Sequence, residues 1–283
     1  MKIIECPRDA MQGLHEFIPT QKKAQYINQL LKVGFDTIDF GSFVSPKAIP
    51  QLRDTAEVLD QLDLSRTASK LLAIIANMRG AEAAANFDTI DYLGFPLSIS
   101  EQFQQRNTNR SISEALTTVA DIQNLCEKKG KTLVTYISMG FGNPYGEPFD
   151  EEIVAGFVEK LNALGVRIIS LSDTIGVAVP DVIKNVFSRS ISAYPGIEFG
   201  AHFHSTPEKT REKLESAYLA GCRRFDTAIK GFGGCPMAKE DLTGNIATER
   251  LLDYLNMVGQ ETELNKSAFD QAMLMSLDVF PIN

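Results

Sequence analysis

The stretch KIIECPRDAMQ (residues 2–12) decides between two ways of building an α/β protein. Its opening run, with two β-branched isoleucines, reads as a short strand. In a doubly wound nucleotide-binding sheet the turn after that strand is GxGxxG, because the backbone must approach a pyrophosphate closely. Here Arg8, Asp9 and Gln12 occupy the turn instead. Charged side chains at the C-terminal end of a strand are what a TIM barrel carries at its mouth.

Working outward, the same kind of run recurs at TIDFG (37–41), KLLAIIA (70–76), TIDYLG (89–94), TLVTYIS (132–138), RIISLS (167–172), IEFGAHFH (197–204) and RRFDTAI (223–229). Between these runs lie amphipathic stretches such as Tyr26, Leu30 and Val33, or Ile153, Phe157 and Leu161, each able to cover a parallel strand. Ser111 with Glu114 reads as a capping box, and Pro180 as the first turn of a helix. Gly34, Gly130, Gly165 and Gly221 each follow a helical pattern, where a residue with positive φ ends a helix. Eight βα units without a Pro/Ser-rich linker predict one domain over 1–283: an α/β fold, a TIM (β/α)8 barrel. The segment 264–281 reads as an additional C-terminal helix with an apolar stripe of Phe269, Ala272, Met273 and Leu277.

Composition narrows the function. With 283 residues, 44% of them hydrophobic and 23% charged, the chain is neither disordered nor a disulfide-stapled scaffold. A net charge of −8 supplies no global positive field, so neither nucleic acid nor an anionic membrane is an expected partner. No apolar run is long enough to cross a bilayer, and no secretory segment opens the chain. Cys6, Cys126, Cys222 and Cys235 show no CxxC spacing, so a reducing cytoplasm is the expected compartment. Cys6 and Cys126 read as small buried hydrophobes.

Polar residues at strand ends carry the chemistry. His202 and His204, two apart on a strand, point to one face, and with Asp9 brought across the barrel they form an N/O site for a divalent metal or a pair of satisfied strand-end histidines. Arg8 offers a permanently charged donor fork to an oxygen that becomes negative. Asp39 orients Arg8 or a metal-bound water, or forms a barrel-mouth ion pair, and Asp173 balances charge or positions a histidine. Cys235 lies in the glycine-rich GFGGCPMAKEDLTGN (231–245) as an acid, base or nucleophile, or as an inert thiol. Asn245 offers an amide oxygen to a metal, or caps a helix beginning around Ile246. Lys47, Lys230 and Lys239 are candidates for attracting an anionic substrate, and His15 reads as a surface residue.

Taken together, PRDAMQ (7–12), SFVSPKAIPQ (42–51), SLSDTIGVAVP (170–180), AHFHS (201–205) and GFGGCPMAKEDLTGNIATE (231–249) resemble the hydroxymethylglutaryl-CoA lyases. The resemblance implies that Asp9, His202, His204 and Asn245 hold Mg²⁺ or Mn²⁺, that Arg8 stabilises an enolate oxygen, and that Cys235 is the thiol of a closing loop. Asp39 resembles the family's second-strand acid, usually glutamate, and Asp173 its mouth aspartate. The implied reaction converts an acyl-CoA substrate, hydroxymethylglutaryl-CoA, to acetyl-CoA and acetoacetate in a homodimer; of the groups beside the metal site, His202 is the first choice for the base that takes the hydroxyl proton. Departures from the family pattern are Ala10 for glycine, Ser205 for aspartate, Ser172 for glycine, and Val134 and Thr135 where an arginine is frequent. These leave open a related aldolase or acyltransferase on another 3-hydroxyacyl-CoA or 2-oxo acid, and a non-catalytic CoA- or metal-binding barrel.

Overall fold

The computed structural model describes residues 1–234 and 243–280. Within them the chain runs β1 (Lys2–Glu5), α1 (Pro7–Gln12), α2 (Thr20–Val33), β2 (Thr37–Ser42), α3 (Thr55–Leu59), β3 (Lys70–Ile74), α4 (Met78–Ala85) and β4 (Tyr92–Ser98). It continues through α5 (Glu101–Thr108), α6 (Ile112–Lys129), β5 (Thr132–Ser138), α7 (Glu151–Ala163), β6 (Ile168–Asp173) and α8 (Pro180–Ala193). It ends with β7 (Glu198–Ser205), α9 (Thr210–Leu219), β8 (Arg224–Thr227), β9 (Gly244–Asn245), α10 (Thr248–Met257) and α11 (Lys266–Val279). Strands β1 to β8 pair in sequence, all parallel, and β8 closes on β1, so the predicted (β/α)8 barrel with an extra C-terminal helix is the observed fold.

Local signals account for many of the boundaries. Ser111 and Glu114 form the reciprocal capping box of α6, and Gly34 and Gly130 end α2 and α6 in the left-handed region that a residue without Cβ adopts freely. The turn read at PRDAMQ is a helix, because Pro7 presets its first residue and Asp9 favours its N-terminal turn. The fourth strand begins three residues later than expected and runs through Pro96. Gly94 presents its carbonyl to Ile75 of the neighbouring segment, and Pro96, two residues on, faces the same side beyond the end of β3. Its missing N–H therefore costs no ladder bond.

The barrel interior is divided. Leu72, Ile74, Val134, Tyr136 and Ile168 fill the side built by β3 to β6, while their neighbours Leu71, Ala73, Leu133, Ile137 and Ile169 face the helices. The side built by β7, β8, β1 and β2 carries buried charge, including Arg224, Asp226 and Asp39. This asymmetry places the polar groups of the mouth along one wall.

Helix α11 packs on α2 through Ala268, Ala272, Ser276 and Val279, with Gln29 Nε2 donating to the Ala268 carbonyl at 2.9 Å. The expected stripe is thus rotated: Ala272 is central, Phe269 and Met273 are half-buried, and Leu277 is exposed. Phe269 still meets Phe35 edge-on at 6.4 Å, which accounts for its place at the border.

Glu5 ties β1 to the loop and helix that follow β8. Its Oε1 accepts from Ile229 N at 2.8 Å and its Oε2 from Thr248 Oγ1 at 2.6 Å, and burial raises its pKa to about 8 despite these two bonds. A carboxyl raised in the folded state contributes stability that is full below its unfolded pKa and is lost as pH rises through the folded value. Wild-type stability to urea is expected to fall between pH 5 and 8, and Glu5→Gln to flatten that fall. The amide can still accept from Ile229 and can donate to Thr248 Oγ1, which lies 3.0 Å from Thr227 Oγ1. Equal pH slopes for the two proteins would contradict this assignment.

Candidate active site

Helix α1 delivers Arg8 and Asp9 to the C-terminal mouth of the barrel. Arg8 Nε lies 3.2 and 3.0 Å from the two Asp39 oxygens and Nη2 lies 2.5 Å from Asp39 Oδ2, while Nη1 donates to Asp9 Oδ1 at 2.8 Å and Gln12 Oε1 at 2.9 Å. The guanidinium is thus fixed on one side by Asp39, which is fully buried, and on the other by the Asp9–Gln12 pair. Burial would raise the Asp9 carboxyl, but Arg8, the two histidines and Asn245 hold it well below the usual carboxylate range. For Asp39 burial wins over Arg8, and its pKa is pushed up to about 6.

Strand β7 supplies the histidines on one face. His202 Nδ1 lies 3.2 Å from Asp226 Oδ2, and His204 Nδ1 lies 2.7 Å from the Thr174 carbonyl, so each ring has Nε2 as its remaining nitrogen. Burial tends to lower the pKa of His202, but the bond to Asp226 and the charge beside it leave the pKa raised. For His204, burial and then His202 lower it. Single ligand atoms from Asp9, His202 and His204 lie within 4.8 Å of one another. His204 Nε2 is buried, has no hydrogen-bond partner among the described residues, and stands 4.0 Å from Asp9 Oδ2. An orphaned nitrogen facing a carboxylate, within an O/N/N donor set, fits a divalent cation.

Asn245 arrives by a different route. Strand β9 pairs antiparallel with β7, placing Asn245 opposite His204, and its Nδ2 donates to Asp9 Oδ2 at 2.7 Å and to the Phe232 carbonyl at 2.9 Å. Helix α10 begins only at Thr248 with Ala247 as its cap, so Asn245 joins the cluster and does not cap that helix. Gly233 permits the approach: a Cβ there would stand 2.8 Å from Asn245 Nδ2 and 2.9 Å from the Cα of Ala10, and its φ is +86°.

Asp173 stands behind this cluster. Its oxygens accept from Val177 N, Ala178 N and Lys213 Nζ at 2.9, 3.0 and 2.6 Å, and Lys213 also donates to the His204 carbonyl at 3.0 Å. Cys235 and Lys239 lie outside the described residues. Cys6, Cys126 and Cys222 are buried and free. Lys47, Lys230 and His15 are exposed.

The cluster opens into a cavity of about 500 Å³ whose wall includes Arg8, Asp9, His202, His204, Tyr136, Ser172, Phe103, Arg106 and Gly234. An outer groove of about 870 Å³ continues from it past Arg106, Asn107 and Arg110. Ser172 Oγ is buried in the cavity wall without a hydrogen-bond partner among the described residues. Val134 packs in the apolar half of the barrel interior, whereas Arg224, from β8, is buried on the polar side.

Sequence reasoning placed Gln12 in the turn after β1 without a role and passed over Tyr136, Lys213 and Asp226. Lys213 and Asp226 had a legible signal. Lys213 falls on the buried stripe Thr210, Lys213, Leu214 and Ala217 of α9, and Asp226 shares the inward face of its strand with Arg224.

A family model described as HMGL-like matches residues 2–275. The chain is 33% identical over 258 residues to the hydroxymethylglutaryl-CoA lyase YngG of Bacillus subtilis, covering 91% of this chain and 85% of the relative. It is 32% identical over 273 residues to a 3-hydroxy-3-isohexenylglutaryl-CoA/hydroxy-methylglutaryl-CoA lyase of Pseudomonas aeruginosa, covering 96% and 90%. Among solved structures, an HMG-CoA lyase from Acinetobacter baumannii in complex with coenzyme A and 3-methylmalate superposes with a TM-score of 0.90 at 32% identity, covering 99% and 91%.

Proposed function

The chain belongs to the HMGL-like family, and from that membership and the mouth geometry we propose that it is a metal-dependent carbon–carbon lyase cleaving 3-hydroxy-3-methylglutaryl-CoA to acetyl-CoA and acetoacetate. The observation that carries this reading is the convergence of Arg8 with the buried Asp9, His202 and His204 at one cavity. The outer groove past Arg106 and Arg110 offers a path for the coenzyme arm of the thioester.

Asp9, His202, His204 and Asn245 would hold the cation, Mg²⁺ or Mn²⁺. When bound, it supplies Lewis acidity that makes a tertiary hydroxyl easier to deprotonate. Because His202 Nδ1 is committed to Asp226, only Nε2 is available, so holding a cation and taking the hydroxyl proton are alternative states of that atom. His202 would therefore take the proton only when its Nε2 is not a ligand, leaving Asp9, His204 and Asn245 as the residues that would hold the cation. As the C3–O bond becomes a carbonyl, the C2–C3 bond breaks, and its electron pair moves to the thioester as an enolate. Arg8, held rigid by Asp39, stabilises the enolate oxygen. Cys235, next in sequence to the cavity-lining Gly234, is our assignment for the group that delivers a proton to C2. Asp173 acts through Lys213 on the backbone of His204.

We further assign residues 1–283 to one catalytic domain working in the cytoplasm as a homodimer. The family resemblance supports the dimer, and buried free thiols at Cys6, Cys126 and Cys222 support a reducing compartment. Among the described residues no helix is long and apolar enough to cross a membrane.

The test is product formation from hydroxymethylglutaryl-CoA. Equal yields of acetyl-CoA and acetoacetate are expected with Mg²⁺ or Mn²⁺, lost on chelation, restored by re-addition, and lost again in Cys235→Ala. Absence of turnover by folded, metal-replete protein would overturn the substrate assignment.

A further inference from the structure

We infer that Asp226, which faces the barrel interior on the same side of β8 as Arg224, is the positioning residue that fixes His202 as its Nδ1–H tautomer and so turns Nε2 toward the cation and substrate. The inference rests on the reading of His202 given above, and it gives Asp226 the histidine-orienting role that the sequence had offered to Asp173.

The geometry begins on β8, where Arg224 and Asp226 are two residues apart and face the same way into the barrel. Asp226 is fully enclosed, and its Oδ2 takes His202 Nδ1 at 3.2 Å and Ser170 Oγ at 3.4 Å. Its Oδ1 has no hydrogen-bond partner among the described residues. An ionised carboxylate only accepts, so the nitrogen facing it carries the proton and the other ring nitrogen presents its lone pair. A cation ligand and a proton acceptor both need that lone pair. Either state is therefore served by the same contact.

A carboxylate buried in this way needs a counter-charge. Arg224 supplies a buried positive charge on the same face without a direct bond to Asp226: Nη1 is anchored to Glu198 Oε1 at 3.1 Å, and among the described residues Nε and Nη2 have no hydrogen-bond acceptor. Glu198 is also held by Lys2 at 2.6 Å, so the anchoring carboxylate is shared between two cations. Room for Arg224 comes from Gly200 on β7, where a Cβ would stand 3.0 Å from Arg224 Cδ. Asp173, by contrast, spends its oxygens on Lys213 and two backbone amides.

The experiment has two arms. Mn²⁺ binding to the full chain, followed by the electron paramagnetic resonance signal of the free ion, is compared for wild type and Asp226→Asn, with thermal unfolding as the control for folding. Affinity is expected to fall about 10- to 100-fold, the usual consequence of losing a carboxylate behind a ligating histidine, because the neutral amide can turn either end to Nδ1 and no longer selects a tautomer. A folded variant whose Mn²⁺ affinity stays within twofold of wild type overturns the inference. The second arm needs no variant. Long-range ¹H–¹⁵N correlation in the metal-free wild type, which has three histidines, recorded at a pH high enough that the His202 ring is neutral, is expected to show its proton on Nδ1. A neutral ring with its single proton on Nε2 overturns the inference even if Asp226→Asn fails to fold. Failure of wild type to bind Mn²⁺ would refute the cation reading of the site, while the tautomer measurement would still decide the role of Asp226.

Discussion

Arg8→Met is expected to lower kcat by about 10²- to 10³-fold, the loss that follows removal of one preorganised donor to a developing oxyanion. The side chain is suited to that role because all its slack has been removed: Asp39 grips Nε and Nη2, and Asp9 with Gln12 grips Nη1. Stability should fall as well, since the variant leaves Asp39 buried without its cation, and breaking a buried pair costs about 3–5 kcal/mol. The two losses are separable. Arg8→Met/Asp39→Asn removes the stranded carboxylate, so urea unfolding should recover much of the stability while kcat stays low. Arg8→Lys should also remain impaired, because an ammonium cannot span both carboxylates with a planar fork. The loss of stability should also depend on pH. Asp39 already has its pKa raised to about 6 by burial, and the charge and bonds of Arg8 are what oppose that rise. Without Arg8 the rise grows, so the single variant should lose more stability at pH 8, where Asp39 must ionise, than at pH 5. A kcat for Arg8→Met within tenfold of wild type would end the oxyanion assignment.

The fold was legible because its rhythm rests on local signals. Eight β-branched runs separated by amphipathic stretches leave little choice of architecture once the first turn lacks glycines, and the closed parallel sheet follows that order. What escaped is what tertiary context decides. The turn at PRDAMQ is helical although it is too short to show a period, and β4 extends through Pro96 because β3 has already ended beside it. The stripe on α11 was misplaced because Phe269 and Leu277 outrank Ala268 and Ser276 in hydrophobicity, whereas close packing on α2 selects small residues. In the site, residues at strand ends were found by position: Arg8, Asp9, His202 and His204 do converge, and Asn245 joins them through the β9 pairing. The residues behind them were harder to see. Lys213 and Asp226 act on histidines 9 and 24 positions away in the chain, and nothing short of a side-chain geometry states which acid faces which ring.

Asp9→Asn is expected to have the larger effect on kcat/KM, a loss of roughly 10³-fold or more, since the Lewis-acid contribution it supports is worth several kcal/mol. The substitution is nearly isosteric, and Oδ1 can still accept from Arg8 Nη1. What changes is charge and donor polarity. Arg8, both histidines and Asn245 together keep the wild-type carboxyl ionised, whereas the amide brings no negative charge and sets an NH₂ against the Asn245 Nδ2 that now donates to Asp9 Oδ2. A ligand that binds only the folded state stabilises it by about 2.7 kcal/mol at 100 times its Kd, so saturating Mn²⁺ should raise the unfolding temperature of wild type and leave that of Asp9→Asn unmoved. Asp39→Asn provides the contrast. Asp39 contacts Arg8 and not the histidine pair, so that variant should keep the Mn²⁺-induced shift even as turnover falls. If Asp9→Asn retains both the shift and turnover within tenfold, the cation is held elsewhere, and the orphaned Nε2 of His204 needs another partner.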